Sequence, residues 1–108
     1  MKVYVMLADG FEEIEALSVV DVLRRGGVET VTTAVKEDKV VLSAHDIPVY
    51  ADKKISEITV EKDDMIVLPG GSKGVANLAA SEVLAEMLKK HQVQNGWIAA
   101  ICAGPTIP

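Results

Sequence analysis

The sequence predicts a doubly wound, mostly parallel α/β sheet with helices on both faces, and three observations carry that prediction. Short apolar runs take turns with longer helix-forming stretches along the chain. Several of those runs are apolar throughout, as strands covered on both faces must be, and do not alternate like a sheet with one wet face. Three of them end in unusual residues, at Gly10 to Glu15, Pro69 to Gly71, and Cys102. Open parallel sheets bind ligands beyond the carboxyl ends of their strands, so these ends are where a site is expected.

Taken in order, Lys2 to Leu7 (KVYVML) reads as a buried strand that closes at the turn Ala8-Asp9-Gly10. Glu12 to Arg25 contains no proline or glycine, has acids in its first turn and arginines in its last, and meets Gly26-Gly27, which predicts a helix. Val28 to Val35 is β-branched and alternating, and Val40 to Leu42 and Ile47 to Tyr50 read as shorter strands, either a hairpin or an edge extension. Asp64 to Leu68 is another apolar strand, broken by Pro69-Gly70-Gly71. A helix from about Ser81 to Gln94 stops at Asn95-Gly96, and Trp97 to Ile101 completes the sheet.

Composition bounds the function. At 108 residues, 49% hydrophobic and 25% charged, the chain suits a single domain over 1–108 with one core. Its 11 basic residues are interleaved with 16 acidic ones for a net charge of -5, which argues against nucleic acid as a partner. No apolar run approaches the roughly 20 residues that cross a bilayer, so no membrane role is expected. A single cysteine cannot form an internal disulfide, and MKVYVMLADG lacks a signal-peptide core, so a cytoplasmic, reducing location is expected. No Cys/His cluster has metal-ligand spacing, and there is no phosphate-cradling loop or dinucleotide fingerprint, so neither a metal nor a nucleotide cofactor is expected.

Six positions draw attention as site residues. On a wheel of about 100° per residue, Glu15 shares the arc of Val19, Val22 and Leu23, while Glu13 falls on the side of Arg24, so Glu15 is expected to point inward. Such a carboxylate is costly unless hydrogen-bonded, protonated or working in a site; a helix-start acid that escapes to solvent is the alternative. Cys102 follows a strand directly and precedes Ala103-Gly104-Pro105, a context that suits a strained strand-to-helix elbow. A thiol there would feel the positive helix end and ionise below its free value of about 8.5, although a lone cysteine is also a common small core residue. The backbone N–H groups of Gly71 and Ala103 are candidates for an oxyanion hole, since no side chain intervenes at Gly71. Gly70 and His45 are candidates for lining the pocket, and His91, late in a polar helix, is expected on solvated surface.

These residues together bear a family resemblance. D-G-F-E-E-I-E at 9 to 15, V-L-P-G-G at 67 to 71 and A-I-C-A-G-P-T at 100 to 106 resemble the ThiJ/PfpI family, in its parkinsonism-associated deglycase branch. The resemblance implies a flavodoxin-like order of strands. It implies that Cys102 is the family's reactive, oxidation-prone cysteine, that Glu15 is the acid whose protonated carboxyl hydrogen-bonds the sulfur, and that Gly71 and Ala103 supply the donors beside it. His45 falls where close relatives carry an arginine. The activity implied is a cysteine-dependent, cofactor-free conversion of reactive α-oxoaldehydes or their adducts on proteins, of glyoxalase or deglycase type. A redox-sensing stress protein or chaperone working by Cys102 oxidation is the alternative, and a cysteine peptidase a weaker one. The partners implied are a small-molecule carbonyl or a glycated protein, and a second copy in a homodimer, with the first helix and Arg24 and Arg25 as its candidate contact. The family's histidine, roughly one strand-helix unit after the cysteine, is absent, so the chain is expected to be the amino-terminal part of a longer protein, cut after the elbow. Physical reasoning supports the pairing: a carboxyl facing a thiolate is disfavoured in its ionised form by desolvation and like charge, so the two titrate as a unit and share one proton.

Overall fold

The computed structural model describes residues 1–101. Strand β1 (Lys2–Leu7) lies at the centre of a five-stranded sheet, with β2 (Glu29–Ala34) on one side and β6 (Met65–Leu68) on the other. The flanks are the two-residue β5 (Lys53–Lys54) beside β2 and β7 (Trp97–Ala100) beside β6, and every pair is parallel, from Lys2↔Glu29 to Leu68↔Ala100. The order β5-β2-β1-β6-β7 makes the chain step away from β1 in one direction and then return to its other side. The crevice at that reversal opens between the carboxyl ends of β1 and β6.

The apolar character of β1 follows from this placement. Val3, Val5 and Leu7 face a core shared with Ala16 and Val20 of helix α1 (Glu13–Arg25). Tyr4 and Met6 face the opposite core, with Leu78 of α2 (Ser72–Ala79) and Leu84 and Leu88 of α3 (Glu82–Val93). A strand covered on both faces has no wet side to alternate with, and each fully buried Val or Leu contributes about 1.5–3 kcal/mol. Helix α1 ends as its glycines predict, with Gly27 at φ 79 and its N–H donating to the Arg24 carbonyl at 3.1 Å. Among the described residues no helix is long and apolar enough to cross a membrane.

The strands left open between hairpin and edge extension are an antiparallel hairpin of their own. Strand β3 (Val40–Leu42) pairs with β4 (Pro48–Tyr50), apart from the main sheet, and Ala44 N–H donates to the Phe11 carbonyl at 2.7 Å. The hairpin is thereby fastened over the loop that leads into α1.

Three features were not foreseen. Residues 72–79 form α2 although Ser72, Gly74 and Asn77 are poor helix formers, because Gly74 lets this helix sit on the β1–α1 loop: a Cβ there would lie 2.8 Å from Phe11 Cα. Strand β5 and a 3-10 turn at Ile55–Glu57 lack any local apolar signal, and β5 is set up by Asp52, whose carboxylate accepts from Thr32 N–H at 2.9 Å and Arg24 at 2.7 Å. His91, expected on solvated surface, is 2% exposed. Its Nε2–H donates to the Asp64 carbonyl at 2.8 Å, and its Nδ1 is buried without a partner among the described residues. The reason is its place in the apolar stripe of α3, where Leu84, Leu88 and His91 follow at helical spacing, and Gly96 leaves room for the ring: a Cβ there would come within 2.2 Å of it.

Candidate active site

The site is built where two glycine-bearing turns lock together. Gly10, after β1, has φ 90 and its N–H donates to the Leu42 carbonyl at 2.7 Å; Gly71, after β6, has φ 98. A Cβ on Gly71 would stand 2.6 Å from the Gly10 carbonyl oxygen and 2.9 Å from Glu12 N, so only glycine allows both the backbone angle and the approach. The Glu12 N–H donates to the Gly70 carbonyl at 3.0 Å, which ties the start of α1 to the end of β6.

That tie delivers Glu15. From the first turn of α1 the half-buried side chain reaches β6, and its Oε1 accepts the Gly70 N–H at 3.2 Å. Gly70, expected as pocket lining, thus serves the acid directly. Gly71 stands at the amino end of α2, next in the chain. On the far side of β6, the Ile101 N–H donates to the Leu68 carbonyl at 3.0 Å, so the described chain runs to the same carboxyl end of the sheet. Cys102 and Ala103, with the elbow expected around them, lie outside the described residues.

The helix wheel needs one correction. Glu13, assigned to the side of Arg24, is on that side, but the side is covered: its side chain is only 11% exposed. Val22, placed inward, is 66% exposed. The buried stripe is Glu13, Ala16 and Val20, because the hairpin and β2 wrap that flank of α1, and Glu15 stands at its edge.

Glu13 is held by His45 from the hairpin turn. His45 Nδ1 lies 2.5 Å from Glu13 Oε1, while the ring is 68% exposed. The turn is shaped by Ser43, whose Oγ accepts from the N–H groups of His45 and Ile47, and by Asp46 at φ 59. Burial works against the ionised Glu13 carboxyl, but its own backbone N–H, the His45 ring and Ser43 outweigh it and hold the group below the ordinary carboxylate range. His45 therefore belongs with Glu13.

Asp9, not singled out by sequence reasoning, is the clasp behind the crevice. Its carboxylate accepts from Leu42 N–H at 3.0 Å and from Lys36 Nζ at 3.2 Å, and its carbonyl accepts from Asn77 at 2.6 Å. Burial raises its carboxyl, but the Leu42 N–H and Lys36 together bring it below the usual range. A cavity of about 330 Å³ lies beside it, lined by residues that include Lys36, Asn77 and Ser81. The only local cue was the Asp-Gly pair, which marks a turn and not its partners.

Residues 1–107 match the DJ-1/PfpI family. Protein dj-1beta of Drosophila melanogaster is 34% identical over 103 residues, which cover 95% of this chain and 55% of the relative. The glutathione-independent glyoxalase DJR-1.2 of Caenorhabditis elegans is 38% identical over 96 residues, 89% of this chain and 50% of the relative. Among solved structures, oxidized Toxoplasma gondii DJ-1 superposes with a TM-score of 0.91 at 41% identity, covering 98% of this chain and 58% of that one. The chain spans about half the length of these two relatives. The expected flavodoxin-like arrangement agrees with these neighbours.

Proposed function

The chain belongs to the DJ-1/PfpI family, and from that premise we propose that the whole protein is a cysteine-dependent enzyme acting on reactive α-oxoaldehydes or their protein adducts, of the glyoxalase or deglycase kind. The observation that carries the reading is the 3.2 Å bond from Gly70 N–H to Glu15, which holds an acid at the carboxyl end of β6, in the crevice where this sheet order reverses. The printed name of the Caenorhabditis elegans relative supports the same class.

In this reading the Cys102 thiolate forms a C–S bond with the aldehyde carbon and the carbonyl electrons move to oxygen. Glu15 supplies the proton that oxygen takes up, and the N–H groups of Gly71 and Ala103 are assigned the role of stabilising its developing charge. Glu15 then carries the proton from the carbon bearing sulfur to its neighbour while the hydroxyl proton passes to the former ketone oxygen, which leaves a thioester; water cleaves its C–S bond, releasing the 2-hydroxy acid and returning the thiol. No cofactor enters the balance. His45 is outside these steps. A cytoplasmic homodimer is part of the reading; exposed Ile14, Leu17 and Val22 on α1 support a self-association face, while Arg24 and Arg25 are taken up within the chain by Asp52 and Asp21.

The test is methylglyoxal consumption with lactate formation by the full-length protein, beside Cys102→Ser and Glu15→Ala. Turnover abolished by the first and reduced by about 10²-fold or more in the second is expected. A folded wild-type protein without turnover overturns the reading. If its Cys102 is then oxidised stoichiometrically by peroxide, the redox-sensing alternative gains, a role with a parallel in the Toxoplasma gondii relative described as oxidized.

A further inference from the structure

We propose that Glu12, Glu13 and His45 form a binding site for a divalent transition-metal ion of the zinc class. One donor atom from each of the three side chains lies within 4.8 Å of the other two. The donors come from both sides of a tertiary junction: the two carboxylates begin α1, and the imidazole arrives from the β3–β4 turn, docked there by the Ala44–Phe11 bond. No spacing in the sequence announces it, since 32 residues separate Glu13 from His45.

Two observations point to a cation. Glu13 is nearly enclosed and its Oε2 is buried with no hydrogen-bond partner among the described residues. A buried carboxylate oxygen that no hydrogen bond of normal geometry reaches is a place where positive charge is missing, even with the Glu13 N–H and Ser43 close to the same carboxyl. The charge count says the same: Glu12 and Glu13 against one imidazole leave a negative excess whether the ring is neutral or protonated. The Glu12 carboxylate accepts the Ile14 N–H at 3.2 Å, which fixes it at the helix start facing this cluster.

The donor set selects the class of ion. One imidazole nitrogen with carboxylate oxygens suits zinc and its neighbours in the first transition row, whereas calcium and magnesium favour oxygen alone. The exposed His45 ring gives the ion a path from solvent, and three protein donors leave a fourth position for water. At 2.5 Å, His45 Nδ1 and Glu13 Oε1 are closer than two ligands of one tetrahedral ion, which stand about 3.3 Å apart for bonds near 2.0 Å. The ion therefore replaces the proton between them: the ring swings outward by under about 1 Å, the proton goes to solvent, and the metal takes both lone pairs.

The experiment is calorimetric titration of Zn²⁺ alone, in non-chelating buffers of different ionisation heat, into the full-length protein carrying Cys102→Ser so that the thiol does not contribute. One ion per chain with proton release is expected. His45→Ala, at an exposed turn, weakens it by at least about tenfold, Glu13→Gln does the same, and Glu86→Gln on α3 leaves it unchanged. No saturable uptake by the parent, or equal affinity in folded His45→Ala, overturns the site. Because His45 and Glu13 stand outside the reaction proposed for Glu15 and Cys102, failure of either proposal leaves the other untouched.

Discussion

The two ends of the sheet use the same devices to opposite effect. At the carboxyl end, Gly71 brings two turns within touching distance, and Glu15, which accepts the Gly70 N–H, is half-buried. At the amino end, Gly96 admits the His91 ring, and Asp64 closes everything around it: its carboxylate accepts the N–H groups of Lys2 at 2.8 Å and Glu61 at 2.9 Å, and its carbonyl accepts from His91. Asp64 is 6% exposed and its bonding capacity serves the fold. A glycine at close quarters and a carboxylate on backbone amides are therefore not signs of a site by themselves. What distinguishes the carboxyl end is its place in the fold, where the strand order reverses and open parallel sheets bind their ligands.

The largest expected effect that would break this comparison is at the glycines. Gly71→Ala combines a positive φ with a backbone clash and should lower stability by about 2–5 kcal/mol in urea unfolding. Gly96→Ala meets only a ring edge and should lose about 1–3 kcal/mol. Adding His91→Ala to Gly96→Ala should recover part of that loss, whereas no side-chain truncation should rescue Gly71→Ala, whose obstacle is backbone. Equal rescue at both ends would remove the distinction.

Next in size, His91→Ala should cost about 2–4 kcal/mol through the cavity and the unpaired Asp64 carbonyl. On the proposed reading it should leave methylglyoxal turnover by the full-length protein unchanged per folded molecule, because His91 sits beside Asp64 at the amino end of β6, away from Glu15. A large fall in kcat with intact folding would mean that the two ends are coupled.

Acid sharpens the comparison further. The carboxyls of Asp9 and Glu13 sit below the ordinary range in the folded chain, each lowered more by backbone and side-chain partners than burial raises it. The unfolded chain then binds more protons over that interval. The stability they contribute is fully present above their unfolded values, near pH 4, and is lost as pH falls through the folded values. Hydrogen exchange should show the hairpin and the β1–α1 loop opening first below about pH 4, ahead of α3, and Asp9→Asn should remove part of that acid dependence. Parallel loss of protection at both ends would contradict it. The smallest effect belongs to Lys36→Met, which breaks a partly exposed ion pair with Asp9 and should change stability by about 0–1 kcal/mol.

How much of this was legible differs between backbone and site. The strand at 65–68 and the helix at 13–25 announced themselves through runs, caps and stops, which are local properties of the chain. Helix α2 did not, because its stability comes from Gly74 against the Phe11 backbone and not from propensity. The rotation of α1 was misjudged by one flank: the wheel fixes which residues share a face, but not which faces neighbours cover, and the hairpin buried Glu13 while Val22 stayed out. His91 was readable in principle, since it continues the Leu84 and Leu88 stripe, but its polarity masked the period.

The amino-acid sequence was enough for the parallel sheet, for most of its strands and helices, and for the strand ends where Glu15 and the Pro69-Gly70-Gly71 turn would meet, because hydrophobic periodicity and turn chemistry act over a few residues. It took packing to show that Glu15 answers to Gly70, that Glu13 and Glu12 meet His45, and that His91 is closed away behind Asp64. Those contacts join residues from 27 to 55 positions apart, and a polar contact over such a span exists only once packing has chosen which side of each helix faces in.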